Sequence, residues 1–313
     1  MVQLKNKSIL ITGGTGTVGR ALLTTIIDLP KEQQPKQVVI LSRDEYKQHL
    51  LQNEFPPGQY PFIQYALADI GNYSLLLPHF RQIDVVVHAA ALKRIEFGEM
   101  QPAAFVHTNI NGTENVLTAA AAQKVSQVIT ISTDKAVYPT TLYGATKLCA
   151  ERLALRKNQP GLLKSSVIRL GNILGSRGSV TTELKKKENQ SAIEITHPEM
   201  TRFTMTAPDC AKYILSQIHN AVGGEVLIPK TKAYRLIDLV QEIAPDSEIT
   251  FSAPRLTEKI HETLISKEEA RFGCERANDF IICMNENVLK AYREQSGVQQ
   301  VALKALTSEH TAK

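Results

Sequence analysis

Six short apolar runs punctuate the first part of the chain: SILIT (8–12), QVVIL (37–41), FIQYALA (62–68), DVVVHAA (84–90), QVITIS (127–132) and SSVIRL (165–170). They are rich in Val and Ile and nearly continuous rather than alternating, as in strands buried on both faces. Longer amphipathic stretches separate them. RALLTTIIDL follows the first run, EYKQHLLQNEF the second and NYSLLLPHFRQ the third. PAAFVHTNINGTENVLTAAAAQK predicts one long helix with Gly112 as a weak point. LYGATKLCAERLALRKN predicts another after the fifth run. Strand–helix alternation of this kind predicts an α/β fold, a Rossmann-type doubly wound parallel sheet.

After residue 170 the pattern loosens. Gly171, Gly175 and Gly178 mark a loop. DCAKYILSQIHNA (209–221) predicts a helix ending at Gly223-Gly224, EVLIP (225–229) a further strand, and LIDLVQEIA (236–244) a short helix. The tail from about Asn285 predicts a helix and then a polar end. The expected division is a dinucleotide-binding domain over 1–172 plus about 203–230. A smaller C-terminal substrate-binding domain takes 173–202 and about 231–313.

Composition narrows the class. At 313 residues, 43% hydrophobic and 21% charged, the chain is an ordinary globular protein with room for a real core. The net charge is +5, part of it in the run Lys185–Lys187, which predicts a solvated face. The remaining excess suits a pocket for an anionic small molecule. Aromatic interleaving, zinc-finger spacing and a basic helix are all absent, so no nucleic acid is expected. Four cysteines stand far apart with no C-x-x-C, which fits reduced thiols and a cytoplasmic location. The start MVQLKNKSILITGG does not read as a signal peptide. No membrane span is expected, and His197 and His261 lack metal-ligand spacing.

GGTGTVG (13–19) follows the first strand and opens the first helix. Gly13, Gly16 and Gly19 allow a tight turn and let the backbone approach a pyrophosphate, which the helix N-terminus attracts. The second strand runs into Ser42 and Arg43. A hydroxyl and a guanidinium suit a 2′-phosphate, so NADP is favoured over NAD, although Asp44 follows. Asp69, closing the third strand, is placed either to accept from an adenine amino group or to cap a helix.

STDKAVYPTTLYGATK (132–147) carries the candidate chemistry. Tyr143 and Lys147 share a helix face. The ammonium is expected to favour phenolate and lower the tyrosine pKa, making Tyr143 a base for a hydroxyl that loses hydride. Thr133 can hydrogen-bond the same substrate oxygen. Asp134 and Lys135 add an acid and a base that simple hydride transfer does not need. For that work the Asp134 pKa must rise and the Lys135 pKa must fall, and the proton belongs to the pair.

The glycine loop, HAAALKRIEFGEMQPAAFVHTNINGTENV, STDKAVYPTTLYGATK and LGNILGSRGSV together resemble the extended short-chain dehydrogenase/reductases, specifically the nucleotide-sugar 4,6-dehydratases of polysaccharide biosynthesis. THPEMTRFTMT (196–206) and PRLTEKIHETLISKEEA (254–270) point the resemblance to UDP-N-acetylglucosamine 4,6-dehydratases that often invert C5; it spans about residues 8–283. It implies that Tyr143 and Lys147 oxidise C4, that Lys135 or Asp134 takes the C5 proton, and that Asp134 helps the C6 hydroxyl leave. It adds Thr15, Thr17, Val18, Ile70, Ala89, Ala90, Lys93 and Asn109 to the cofactor set, with Asn109 matching the fold's helix-bending asparagine that supports the catalytic lysine through water. It also implies that Lys93, Asn172, Arg177, Arg202, Arg255 and Glu258 contact a UDP-sugar. A homo-oligomer is expected by the same analogy. The chain departs from the pattern at Tyr138, where relatives usually carry Asn, again near Thr141, at Val18, and in PRLTEK, where glycine usually precedes the glutamate. A UDP-hexose 4-epimerase and an inactive nucleotide-binding regulatory protein are the competing readings.

Overall fold

The computed structural model describes residues 4–176, 192–294 and 303–311. Arg177, Gly178 and Lys185–Lys187 lie outside the described residues. The six apolar runs form β1 (Ser8–Thr12), β2 (Gln37–Ser42), β3 (Ile63–Leu67), β4 (Val85–His88), β5 (Gln127–Thr133) and β6 (Lys164–Leu170). Later strands are β7 (Asn172–Ile173), β8 (Ala192–Ile195), β9 (Thr201–Met205), β10 (Glu225–Pro229), β11 (Lys232–Arg235) and β12 (Glu248–Phe251). The last four are β13 (Thr263–Ile265), β14 (Gly273–Glu275), β15 (Asp279–Cys283) and β16 (Leu306–Thr307).

One sheet of nine strands runs in the order β14-β15-β10-β6-β5-β4-β1-β2-β3. From β3 to β10 every pairing is parallel. The strand order reverses between β1 and β4, which opens a crevice at their carboxyl ends. All five residues of β1 and all four of β4 are buried, which is why these runs do not alternate.

Helices α1 (Thr17–Ile27), α2 (Glu45–Glu54), α3 (Tyr73–Leu76), α4 (Ile95–Met100), α5 (Pro102–Phe105), α6 (Gly112–Ala122) and α7 (Leu142–Arg156) connect the first six strands. Helix α8 (Ala207–Asn220) follows β9. On α1 the buried positions are Gly19, Leu22, Leu23 and Ile26, one stripe at helical spacing. They share a core with Cys210, Ile214 and Leu215 of α8 on one face of the sheet. Val116, Leu117 and Ala120 of α6 and Ala154 of α7 fill the other face. A separate small core of Ile193, Ile195, Met200, Leu236, Val240 and Ala244 sits in the C-terminal region. There α9 (Leu236–Ile243) packs near the paired β8 and β12. Helices α10 (Glu286–Arg293) and α11 (Ser308–Thr311) complete the described chain.

Two features differ from the sequence expectation. Residues 273–283, expected in the C-terminal domain, instead extend the main sheet. β15 pairs antiparallel with β10, Glu225 opposite Cys283, and β14 pairs antiparallel with β15. The hairpin covers an edge of β10 that would otherwise expose unpaired backbone groups. The helix expected over 102–124 is also broken. Residues Val106–Asn111 form a π-helical turn between α5 and α6. Gly112 begins α6, where a Cβ would meet the Ile70 side chain at 2.7 Å, so the weak point is a packing site next to the irregular turn.

Candidate active site

Backbone geometry brings the catalytic candidates together. β5 ends at Thr133, whose hydroxyl accepts the Lys135 N–H and caps a single turn, Asp134–Ala136. Five residues later α7 begins, with the Thr141 hydroxyl accepting the Gly144 N–H at 3.1 Å. Gly144 is required by close approach, because a Cβ there would collide with the Lys135 carbonyl oxygen. The first turn of α7, which carries Tyr143, is thereby pressed against the turn that carries Lys135.

Asp134 is fully buried. Its Oδ1 accepts from the Thr133 hydroxyl at 2.9 Å and from Lys135 Nζ at 3.1 Å. Its Oδ2 is buried with no hydrogen-bond partner. Lys135 Nζ also donates to Asn172 Oδ1 at 3.2 Å and pairs with Glu262 Oε1 at 3.2 Å. One ammonium therefore bridges two carboxylates and an amide. Burial pushes the Asp134 carboxyl up, with Lys135 opposing and Glu262 adding to the rise. Burial disfavours the Lys135 ammonium, but Asp134 and Glu262 outweigh it and hold the lysine above its usual range. The fall expected for Lys135 is thus corrected, because the sequence does not reveal the second carboxylate.

The Tyr143 expectation also needs correction. Burial pushes its phenol up to about 12, against the opposing charge of Lys135 and a hydrogen bond with Thr133. The cation that helps is Lys135; Lys147 donates to the Ile131 carbonyl at 2.7 Å. Burial brings Lys147 down to about 8, with Glu151 opposing. A lysine that ionises that low is easily toggled by a nearby charge.

The crevice side fits a dinucleotide. Gly13 has φ of 68°, and a Cβ there would lie 2.7 Å from the Ala90 nitrogen. The β1 and β4 carboxyl ends meet here, as the Ala89 N–H donates to the Thr12 carbonyl and the Ala90 N–H to the Thr12 hydroxyl. Gly16 caps α1 without a side-chain bond, and no acidic residue occupies the first turn with Thr17, Val18 and Gly19. The helix end therefore keeps free N–H groups facing the buried Thr15 loop. At the end of β2 the Ser42 hydroxyl is buried with no hydrogen-bond partner. Arg43 and Asp69 pair at 3.3 Å, and Asp69 Oδ1 accepts the Gly71 N–H. The Ile70 carbonyl accepts from Asn115. Asp44 is the N-cap of α2, accepting the Lys47 N–H at 3.0 Å and pairing with the Lys47 ammonium, so its carboxylate is engaged locally.

Asn109 lies in the π-turn and is buried. Its side chain accepts the Leu92 N–H at 2.8 Å and donates to the Leu92 carbonyl and the Thr146 hydroxyl. It ties the β4–α4 loop to α7 beside Lys147. His88, unremarked in the sequence, bridges Thr12 at 2.7 Å and Thr113 at 3.0 Å behind this site. Burial, then the charge of Lys147, brings His88 down to about 3.

The expected sugar-nucleotide residues divide. Asn172 meets Lys135, and Lys93 Nζ donates to Ser176 at 3.3 Å. Arg202, expected against the UDP-sugar, is buried. It donates to the carbonyls of Thr201, Lys259 and Ile260 at 2.7–3.0 Å. Arg255 and Glu258, expected as a pair, are joined through the Arg255 backbone N–H, while the Arg255 guanidinium pairs with Glu96 of α4. Three more contacts stitch residues 137–140 to this segment: Tyr138 to Glu268, Thr140 to the Thr257 carbonyl, and Lys259 to the Val137 carbonyl. Glu262 was missed because an acid inside KIHETLIS carries no local motif; only the fold takes it to Lys135.

The whole arrangement has close counterparts. The chain is 36% identical over 281 residues to UDP-N-acetylglucosamine 4,6-dehydratase (inverting) of Campylobacter jejuni, covering 88% of this chain and 82% of that protein. It is 34% identical over 319 residues to UDP-glucose 4-epimerase of Rickettsia bellii, covering 98% and 92%. The X-ray structure of Pen from Bacillus thuringiensis superposes with a TM-score of 0.88 at 33% identity, covering 99% of this chain and 95% of that one. The family profile described as polysaccharide biosynthesis protein matches residues 9–283, from β1 to the end of β15, and the chain belongs to that family.

Proposed function

We propose that this chain is an NADP-dependent UDP-N-acetylglucosamine 4,6-dehydratase, a hydro-lyase that makes a 4-keto-6-deoxy sugar for surface glycans. The observation that carries the reading is the buried Asp134–Lys135 pair next to Tyr143, since C4 oxidation alone needs no second acid–base set. NADP is supported by the unpartnered Ser42 hydroxyl beside Arg43 and by Asp44, whose carboxylate is spent capping α2. Gly13, Thr15, Gly16, Thr17 and Val18 would hold the pyrophosphate, with Ser42 and Arg43 on the adenosine phosphate and Asp69 near the adenine. A nicotinamide held there would supply the hydride acceptor for C4 and the hydride donor for C6.

The chain's own residues do the rest. Tyr143 accepts the C4 hydroxyl proton, aided by the cation Lys135. The resulting 4-ketone acidifies C5–H. Lys135 takes that proton as it passes one to Asp134, whose carboxyl burial pushes up, and Asp134 gives one to the departing C6 oxygen. Reprotonation at C5 then fixes the configuration. Asn172 positions Lys135, and Arg202 braces the segment that carries Glu258.

A second reading, a UDP-hexose 4-epimerase of the same fold, is favoured by the nearly full-length likeness to the Rickettsia bellii protein. Incubation with UDP-N-acetylglucosamine, followed by mass spectrometry and NMR, separates the two. Loss of one water means dehydration; unchanged mass with inverted C4 means epimerisation. Lys135→Ala should abolish water loss and leave NADP binding by calorimetry within about twofold, a change of roughly 0.4 kcal/mol. Dehydration at near wild-type rate in that variant would remove Lys135 from the mechanism.

A further inference from the structure

Glu262 belongs to the last third of the chain, far in sequence from the catalytic turn. Its side chain is 5% exposed. Its backbone is locked on both sides: Glu262 N–H donates to the Ser308 hydroxyl at 2.9 Å, and Ser308 N–H donates to the Glu262 carbonyl at 2.9 Å. Oε1 lies 3.2 Å from Lys135 Nζ, and Oε2 is buried, 3.8 Å from Lys259 Nζ, with no hydrogen-bond partner.

The two carboxylates on Lys135 have opposite surroundings. Asp134 is fully buried, with Lys135 as its cation. Glu262 faces Lys135, Arg202 and Lys259, and these outweigh its burial and hold it below the usual carboxylate range. Two carboxylates driven apart by environment are the usual mark of an acid and its counter-ion. A single carboxylate on Lys135 would leave one proton to share between acid and base. A second one, whose charge Lys135, Arg202 and Lys259 favour, lets the site hold two.

We propose that Glu262 is a positioning residue that acts through Lys135: its charge neutralises the ammonium and so frees Asp134 to carry the proton that leaves with the C6 oxygen. This rests on the dehydration reading for its kinetic arm only. The step balances. The C5–H bond breaks and its proton passes to Lys135 as Lys135 hands one to Asp134. The Asp134 proton goes to the C6 oxygen, the C6–O bond breaks with its electron pair leaving on water, and the C5–H electrons form the C5–C6 double bond. The three side chains end the step with the protons they began with.

Removing a neighbouring negative charge lowers the proton affinity of both Asp134 and Lys135. In Glu262→Gln, Lys135 should therefore react at least about tenfold faster with trace acetic anhydride at pH 8 than in wild type, read by peptide mass spectrometry. The pH optimum of water loss should move to lower pH, and Glu262→Asp should restore both. Lys135 reactivity within about twofold of wild type, or an unmoved optimum with a merely slower rate, overturns the proposal. If wild type releases no water, the dehydration reading fails while the labelling result still decides the role of Glu262. If Glu262→Gln does not fold, Lys259→Gln gives the opposite sign. Loss of that cation should slow Lys135 labelling at least about threefold, and an unchanged rate overturns the proposal.

Discussion

Tyr138 adopts φ of 45°, in the left-handed region that glycine and asparagine tolerate and tyrosine does not. Its ring is half exposed, and its hydroxyl reaches Glu268. The backbone conformation at this position is one that suits Asn or Gly. Tyr138→Asn should raise Tm by roughly 2 °C, measured calorimetrically, if relief of strain outweighs the lost contact with Glu268. A drop in Tm would mean that the tether dominates. His88 gives a pH prediction. It titrates at 6.5 when unfolded and about 3 when folded. The unfolded state binds that proton first, so the contribution is complete above 6.5 and is lost as pH falls towards 3. The loss is on the order of 5 kcal/mol over the whole window. In urea titrations His88→Gln should lose less stability than wild type between pH 6.5 and 4. At this scale the sequence marked Thr133, Asp134, Lys135, Tyr143 and Lys147, because all five lie within one local stretch. It could not mark Glu262 or His88, whose roles arise from distant partners.

Among the elements, the strands of the parallel core were legible because burial on both faces leaves an unmistakable apolar run. The π-turn at Val106–Asn111 was not legible in the periodicity, which continues across it; only the resemblance, through Asn109, pointed to a bend there. Asn109 satisfies both backbone groups of Leu92 and the Thr146 hydroxyl. Asn109→Ala should therefore destabilise the protein by roughly 2–4 kcal/mol in chemical denaturation, because it leaves buried donors and acceptors unpaired. It should also loosen the Lys147 turn, seen as faster amide exchange in the first turn of α7. The β14–β15 hairpin escaped notice for a different reason. DFIIC is apolar enough for a strand, but it stands outside the strand–helix alternation that assigned the others.

At the scale of the molecule, Arg169 in β6 joins the two regions. It is 1% exposed and holds Glu151 of α7 at 2.7 Å and Glu269 at 2.9 Å, and it donates to the Leu264 carbonyl at 2.7 Å. Arg169→Met leaves the buried Glu151 and the partly buried Glu269 without their cation and should cost roughly 3–5 kcal/mol. Adding Glu151→Leu and Glu269→Leu to the same protein should recover much of that loss in the same denaturation assay. No recovery would show that packing around the guanidinium, rather than unpaired charge, sets the cost. The fold class was legible as a whole; how the C-terminal third closes on the site was not, because ion pairs between distant segments leave no periodic trace.

The stitches between residues 137–140 and the 255–268 segment also bear on how the protein is made. A ribosome delivers the N-terminal strands first, and domains tend to form in that order. The parallel sheet from β1 to β6 can assemble while the rest of the chain is still being synthesised, and its glycine loop with it. Glu262 and the Tyr138 tether emerge more than a hundred residues after Lys135. The acid–base site therefore closes only once the last third of the chain has been made, later than the strand and turn that carry Thr133, Asp134 and Lys135.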